Sequence, residues 1–285
     1  MIKRRRSVLY VPASNERAMA KAGALDCDAV VFDLEDAVAP EAKAAARERL
    51  RTYFESSRPA GRELIVRINA LTSEWGPEDL LAARACRPDA ILLPKIDGPR
   101  GLQDVDDALD EMDAEPSMKI WIMVETARAV LNLREIVELG RNPGARLACL
   151  VAGTNDLAKE TGVAMTPDRR YFLPWLMQIV LAARASGLGA LDGVSNDFSN
   201  LEAFGRECDE ARNMGFDGKT LIHPAQIAPA NAAFSPRESE LAEARAIVAA
   251  FARPENAGKG AISVDGRMVE RLHLAQAQEV LGRSE

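Results

Sequence analysis

The chain has 285 residues, of which 47% are hydrophobic, enough to bury a sizeable core in one large domain or two small ones. Its net charge of −7, with acidic and basic residues well mixed, argues against nucleic acid as the main partner. No segment approaches the roughly 18 apolar residues of a membrane span, and the N-terminus lacks the apolar region of a signal peptide. We therefore expect a cytoplasmic protein that binds neither nucleic acid nor membrane.

Short β-rich runs alternate along the chain with Ala-rich stretches of helical period, which is typical of βα units around a parallel sheet. The eight predicted strands are SVLYVPA, AVVFDLE, ELIVRIN, AILLPKI, KIWIMVE, RLACLVAG, GALDGV and GKTLIHP. A (β/α)₈ TIM barrel over residues 1–225 accounts for the strand number, the alternation and the length together. The alternative is a doubly wound open sheet, but that fold usually has fewer strands and a Gly-rich first turn, whereas VPASNERA is no GxGxxG.

Residues 226–285 are predicted to form a C-terminal extension that caps its own barrel or a neighbouring subunit. The segment SPRESELAEARAIVAAF predicts one long helix, because Ser235-Pro236 and acidic residues mark its first turn. AISVDGRMV predicts a hairpin around Asp265-Gly266, and ERLHLAQAQEVL predicts a last helix.

Polar residues follow the predicted strands at the end where the active sites of such barrels lie. They are Tyr10, Glu35, Asp36, Arg67, Asn69, Lys95, Glu125, Asn155, Asp156, Asp192, Asp197 and His223. This pattern predicts a ring of polar side chains around one mouth of the barrel.

Two of these residues suit a metal ion. Glu125 ends the otherwise uncharged strand IWIMVE, and Asp156 follows the next strand, with Gly153 permitting close backbone approach. Carboxylates on adjacent strands, without His or Cys nearby, favour Mg²⁺, which binds through one or two carboxylates and keeps water or substrate oxygens. The alternatives are that Glu125 accepts from the N-terminus of the next helix and that Asp156 is a helix N-cap.

Arg67 lies among apolar residues in IVRIN, so its guanidinium is expected to point into the mouth of the barrel. An always-charged planar guanidinium suits a carboxylate that is held through two hydrogen bonds. The alternative is a structural ion pair with Glu35 or Asp36, and both can hold at once.

The acidic segment VFDLEDAV first suggests a metal site of its own. Strand alternation, however, predicts that Asp33 and Glu35 point to one side of the sheet and Asp36 to the other, so the three acids cannot share one ion. We interpret Glu35 and Asp36 as carboxylates that orient Arg67, Lys95 or metal-bound water.

The chain carries RRSVLYVPASNERAMAKA, VFDLEDAV, VRIN, LLPKI, VET, GTNDLAKE and DGKTLIHPAQ in this order. Over roughly residues 5–275 this set resembles the CitE-like (citrate lyase β-subunit-like) branch of the HpcH/HpaI aldolase/citrate lyase superfamily. The resemblance implies a (β/α)₈ barrel, a homotrimer or hexamer, and Mg²⁺-dependent cleavage or formation of a carbon–carbon bond in a 3-hydroxyacyl thioester.

The resemblance also implies roles for individual residues. Glu125 and Asp156 match the metal carboxylates, and Arg67 matches the arginine that holds a 2-oxo acid. The residues expected to bind substrate or coenzyme A are Tyr10, Arg17, Lys21, Arg67, Lys95, Asn155 and His223. Those expected to take part in catalysis are Arg67, Glu35, Asp36 and Glu270.

The chain departs from the family pattern in two places. Family lyases commonly carry an Asp in a GxMxD element of the tail, which reaches the neighbouring subunit as acid/base. Here the element reads GRMVE and ends on Glu270, which either does that work or is a solvated tail residue, and Asp265 is a further candidate. Ser195 stands where related sequences often have a bulky or aromatic residue, so we expect a different acyl pocket.

The expected function is that of a Mg²⁺-dependent carbon–carbon lyase. It would cleave or form a thioester such as malyl-CoA or citramalyl-CoA, with acyl-CoA and a 2-oxo acid (glyoxylate or pyruvate) as the other side of the reaction. A malyl-CoA thioesterase uses the same site with water. The remaining alternatives are a citrate lyase β subunit acting on a carrier-bound thioester and a non-catalytic binding protein, whose one support is Glu270.

Overall fold

Eight parallel strands close into a barrel in the structure, a computed structural model that describes residues 3–142 and 144–282. Each strand pairs with the next along the chain, and the eighth pairs with the first. The strands are β1 Ser7–Pro12, β2 Ala29–Asp33, β3 Glu63–Arg67, β4 Ala90–Leu93, β5 Lys119–Val124, β6 Leu147–Ala152, β7 Gly189–Asp192 and β8 Gly218–Leu221. The predicted (β/α)₈ barrel is confirmed, and the open-sheet alternative is wrong because the sheet has no free edge strand among these eight.

Helices connect the strands around the outside of the barrel. They are α1 Glu16–Ala22, α2 Lys43–Ser56, α3 Gly76–Cys86, α4 Pro99–Glu111, α5 Ala127–Leu131, α6 Leu133–Glu138, α7 Thr154–Thr161, α8 Leu173–Ala185 and α9 Leu201–Met214, and α10 Ile227–Phe234 follows β8. Proline stands in the first turn of α3, α4 and α8, where its missing N–H costs no hydrogen bond. Within the described part of the chain, the helices are all too short or too polar to cross a membrane.

The inside of the barrel is filled by apolar side chains from alternate strand positions. This core comprises Val8, Ala29, Val31, Ile65, Ala90, Leu92, Trp121, Met123, Cys149, Val151 and Leu191. Because inward positions recur every second residue, the next inward positions towards the carboxyl ends of β2, β3 and β5 are Asp33, Arg67 and Glu125. The apolar core therefore ends in a charged layer at one mouth of the barrel.

The chain divides into two compact units, of which the barrel unit comprises residues 5–233. The other contains α11 (Glu238–Phe251), a hairpin of β9 (Ala261–Val264) and β10 (Arg267–Glu270), and α12 (Arg271–Gly282). Its core brings together Ala250, Ile262 and Val269. The predicted long helix, hairpin and last helix are confirmed, while capping of a barrel by this extension stays a prediction.

Candidate active site

A buried ion pair between Asp33 and Arg67 lies at the mouth of the barrel. The two residues end β2 and β3 and are partners in the parallel register. Arg67 donates from Nε (2.7 Å) and Nη2 (2.5 Å) to the two oxygens of Asp33, a bidentate geometry that fixes the plane of the guanidinium. Sequence reasoning missed Asp33 as the main partner of Arg67. The available signal was that both residues end strands that follow each other in the chain.

Asp33 also turns the chain at the end of β2. Its side chain accepts hydrogen bonds from the amides of Glu35 (2.8 Å) and Ala37 (3.3 Å), which closes a local turn. Arg67 Nη1 consequently lies 2.7 Å from an oxygen of Glu35 and 3.8 Å from an oxygen of Asp36. The prediction that Asp36 points away from Glu35 and Asp33 is wrong, because strand alternation stops where this turn begins.

The guanidinium of Arg67 is held in its charged form. Burial acts to lower the pKa of Arg67, but the charge of Asp33 and the hydrogen bonds to it outweigh burial and raise the pKa well above its ordinary value. The ring of Tyr10 lies 4.9 Å from the guanidinium carbon, and its hydroxyl donates to Met123 Sδ (3.3 Å). Burial raises the pKa of the Tyr10 hydroxyl. Arg67 therefore stays charged and Tyr10 stays neutral.

Lys95 connects the acidic turn to the predicted metal carboxylate. Its amide donates to Glu125 Oε1 (2.8 Å), and its ammonium donates to Glu35 Oε1 (2.8 Å). The backbone of Lys95 is left-handed, with φ of 52°, a conformation that costs energy in a residue with a Cβ and persists where surrounding contacts enforce it. Lys95 was expected to bind substrate, and the structure places it against these two carboxylates.

Glu125 and Asp156 lie on adjacent strand ends, as predicted. Glu125 follows β5 and is 1% exposed, while Asp156 is half-buried in the first turn of α7. A Cβ on Gly153 would lie 2.2 Å from the Cβ of Glu125, so the predicted close approach is confirmed. Both alternatives are wrong, because Glu125 accepts from the amide of Lys95 and the N-cap of α7 is Gly153.

The donor set fits Mg²⁺. Burial, followed by the charges of Glu35 and Asp156, raises the pKa of Glu125 to about 7. A buried carboxylate among other carboxylates gains from a bound cation. Across residues 3–142 and 144–282 the structure has no cluster of three or more His, Cys, Asp or Glu side chains that could hold a metal. Two carboxylate ligands, completed by water or substrate oxygens, are what Mg²⁺ commonly takes.

A cavity of about 360 Å³ opens beside these residues. Five of the predicted site residues lie in its wall: Tyr10, Asp36, Arg67, Asn155 and Asp156. The amide side chain of Asn155 exchanges hydrogen bonds with that of Asn196 (3.2 and 2.9 Å), which joins the loop after β7 to the start of α7.

The remaining predicted residues lie outside the cavity wall. His223 stacks on Phe198 with ring centroids 4.7 Å apart, and its Nδ1 accepts from the amide of Ala225. Arg17 and Lys21 are exposed on α1, one helical turn apart. Glu270 belongs to the second unit, at the end of β10. The binding and catalytic roles of these residues stay predictions.

Sequence reasoning missed a buried lysine under the acidic turn. Lys43 is 4% exposed, and its ammonium donates to the carbonyls of Leu34 and Glu35 and to Asn69 Oδ1. Burial lowers the pKa of Lys43. Lys43 fixes the turn that carries Glu35. The sequence shows a lysine shortly after VFDLEDAV, at the start of a helix, but not that its ammonium is buried.

Comparisons with known proteins bear on this site. The HpcH/HpaI aldolase/citrate lyase family matches residues 6–224. The chain is 46% identical over 280 residues to (3S)-malyl-CoA thioesterase of Cereibacter sphaeroides. The match covers 98% of this chain and 94% of that protein. It is 35% identical over 288 residues to mitochondrial citramalyl-CoA lyase of Rattus norvegicus, with 97% and 85% covered.

One solved structure extends the comparison. CitE of Mycobacterium tuberculosis, in complex with magnesium, acetoacetate and coenzyme A, superposes with a TM-score of 0.79 at 30% identity. The match covers 98% of this chain and 97% of that one. The resemblance expected from the sequence motifs is confirmed.

The first prediction concerns Gly153. We expect Gly153→Ala to weaken Mg²⁺ binding at least about tenfold, because the added Cβ displaces the Glu125 side chain. Isothermal titration of the metal-free protein measures this. The matched control is Gly205→Ala on α9, where an added Cβ would have no described atom within 4 Å. Equal Mg²⁺ affinity in the two variants would contradict the assignment of Glu125.

The second prediction concerns pH. In the metal-free protein Glu125 keeps its proton up to about pH 7, and Mg²⁺ requires the carboxylate, so protons compete with the metal below that pH. Mg²⁺ affinity should therefore rise roughly tenfold between about pH 6 and pH 8. Glu125→Gln should bind Mg²⁺ weakly at every pH, and an unchanged rise in that variant would show that another group titrates.

Proposed function

Because the chain belongs to the HpcH/HpaI aldolase/citrate lyase family, we propose that it is a Mg²⁺-dependent carbon–carbon lyase acting on a coenzyme A thioester of the malyl-CoA type. The substrate class has a carboxylate and a hydroxyl at one end and a thioester at the other. The observation that carries the proposal is the charged layer at the barrel mouth: Arg67 and Asp156 line the cavity, and the buried carboxylate of Glu125 follows β5 at the same end of the apolar core.

Arg67 is proposed to bind the carboxylate end of the substrate. Asp33 takes Nε and Nη2 of the guanidinium, and Nη1 lies 2.7 Å from Glu35, so the second N–H of Nη1 is the proposed donor to a substrate oxygen. The pair with Asp33 and the ring of Tyr10 hold the guanidinium in place before the substrate arrives, so little orientation is lost on binding. A fixed positive charge at this position stabilises negative charge that develops on the substrate oxygen as the bond breaks.

Glu125 and Asp156 are the proposed Mg²⁺ ligands. When bound, Mg²⁺ supplies a Lewis acid for the oxygens of the hydroxy acid or 2-oxo acid. Lys95 holds Glu125 through its amide and Glu35 through its ammonium, so it is a positioning residue in this proposal. The hydrogen bond to its amide fixes the direction in which the Glu125 carboxylate faces.

In the proposed reaction the substrate hydroxyl loses its proton as the carbon–carbon bond breaks. The electron pair of that bond moves into the thioester and forms the enolate of the acyl-CoA, which then takes up a proton at carbon. The other product is the 2-oxo acid. We propose Glu270 as the acid/base, supplied by a neighbouring copy in a homotrimer or hexamer, on the similarity of GRMVE to the family element GxMxD.

The second candidate function is hydrolysis of the thioester bond. It is favoured by the 46% identity to a protein named (3S)-malyl-CoA thioesterase, against 35% to the citramalyl-CoA lyase. The same site serves both reactions, since each uses a bound hydroxy acid end and a polarised thioester. They differ in whether water attacks the thioester carbonyl or the carbon–carbon bond breaks.

The third prediction separates these reactions. Purified protein with Mg²⁺ and malyl-CoA should release glyoxylate and acetyl-CoA. Glyoxylate is measured as its hydrazone, and the CoA products are measured by chromatography. Glu125→Gln should lose at least about 100-fold in rate, because it removes a metal ligand. Malate and free CoA alone would establish the thioesterase in place of the lyase. No turnover of malyl-CoA in the presence of Mg²⁺ would contradict both.

The fourth prediction concerns Asp36, which lines the cavity with 62% of its side chain exposed. We expect Asp36→Asn to lower turnover more than it lowers Mg²⁺ affinity, because its carboxylate lies 3.8 Å from Arg67 and not on the metal. Steady-state kinetics and Mg²⁺ titration of the same preparation measure the two effects. A larger loss of Mg²⁺ affinity would instead make the acidic turn part of the metal site.

A further inference from the structure

The wall of the active-site cavity is divided between a charged side and an apolar side. Asp33, Arg67 and Asp156 come from the ends of β2, β3 and β6. Val194 and Ile222 follow β7 and β8, Thr220 lies on β8, and β1 contributes Tyr10 and Pro12, so this side of the wall is uncharged and largely apolar. Since strands follow each other around the barrel in chain order, β7, β8 and β1 form one continuous arc. A ligand with one ionic and one aliphatic end is therefore expected to place its ionic end towards β2, β3 and β6.

A buried glutamine fixes the two apolar loops to each other. Gln226 is fully buried, and its Oε1 accepts from the amides of Ile222 (3.0 Å) and His223 (3.1 Å). Its Nε2 donates to the carbonyl of Ser195 (3.0 Å), next to Val194. One side chain therefore sets the spacing between the loop after β7 and the loop after β8.

A buried lysine fixes the other side of Val194. Lys219 on β8 is fully buried, and its ammonium donates to the carbonyl of Gly193 (2.5 Å) and to Asp192 Oδ2 (2.6 Å). A Cβ on Gly193 would lie 2.7 Å from the carbonyl oxygen of Ala152, so this turn also packs directly on the end of β6. Buried side chains thus hold both the carbonyl before Val194 and the carbonyl after it. Moving Val194 away from the cavity would break these hydrogen bonds.

We propose that Val194 is a specificity-determining residue that limits the size of the substituent on the carbon next to the thioester. The inference rests on the proposed function, which places the hydroxy acid end against Arg67 and Asp156. The carbon next to the thioester then lies towards the arc of β7, β8 and β1. A methyl group on that carbon meets a wall that two buried polar side chains keep in place, so the enzyme prefers the unsubstituted thioester.

The test compares malyl-CoA with its homologue that carries a methyl group on the carbon next to the thioester. The readout is the ratio of the two kcat/KM values, which is insensitive to loss of folded protein. We expect Val194→Ala to shift the ratio about tenfold towards the methylated substrate, the scale of one methyl group in an apolar pocket. Val194→Leu should shift it in the opposite direction. The matched control is Val137→Ala on α6, a buried valine outside the cavity wall.

The outcomes separate the two proposals. A ratio in Val194→Ala within twofold of wild type, or an equal shift in Val137→Ala, overturns the role of Val194 and leaves the proposed function standing. Turnover of neither thioester by the wild-type protein overturns the proposed function and this inference with it. A shift of the kcat/KM ratio towards the methylated substrate in Val194→Ala, together with the opposite shift in Val194→Leu, supports the role of Val194 in limiting substrate size.

Discussion

The bidentate pair between Asp33 and Arg67 is the interaction on which the mouth of this barrel depends. A guanidinium at the inner end of β3 is costly to bury alone, and the carboxylate at the matching position of β2 offsets that cost. The same carboxylate ends β2 by accepting two backbone amides. One side chain therefore sets the plane of the arginine and the path of the acidic turn, and the positions of Glu35 and Asp36 follow from that turn.

Around this pair the fold concentrates negative charge and holds it with strained or buried groups. Lys95 adopts a left-handed backbone to serve Glu125 and Glu35 at once, and Lys43 fixes the turn from below. Burial first, and then the charges of Glu35 and Asp156, raise the pKa of Glu125, so the charged form of this carboxyl is disfavoured in the free protein. In the proposed function, a bound Mg²⁺ would offset the cost of the charged Glu125 carboxylate.

The order of strands in the barrel gives the site its direction. The charged residues of the cavity wall come from β2, β3 and the segments after β2 and β6, whereas β7, β8 and β1 and the residues after them contribute uncharged wall residues, so the position of charge in the cavity follows from strand order. Two buried side chains, Gln226 and Lys219, then hold the apolar loops at a set spacing. The loops that carry Val194 and Ile222 are therefore held in place by buried hydrogen bonds, as the proposed selection between similar thioesters requires.

The sequence by itself determined the barrel, its eight strands, the tail elements and the placement of Glu125 and Asp156 after adjacent strands, because hydrophobic period and residues at strand ends are local properties of the chain. Only the tertiary structure decided that Asp33 holds Arg67, that Asp36 turns towards that arginine, and that Lys43 and Lys219 lie under the active-site loops. These contacts join residues far apart in the chain, and they depend on strand register and on where alternation stops. Neither the register between strands nor the residue at which alternation stops can be read from the hydrophobic periodicity of the sequence.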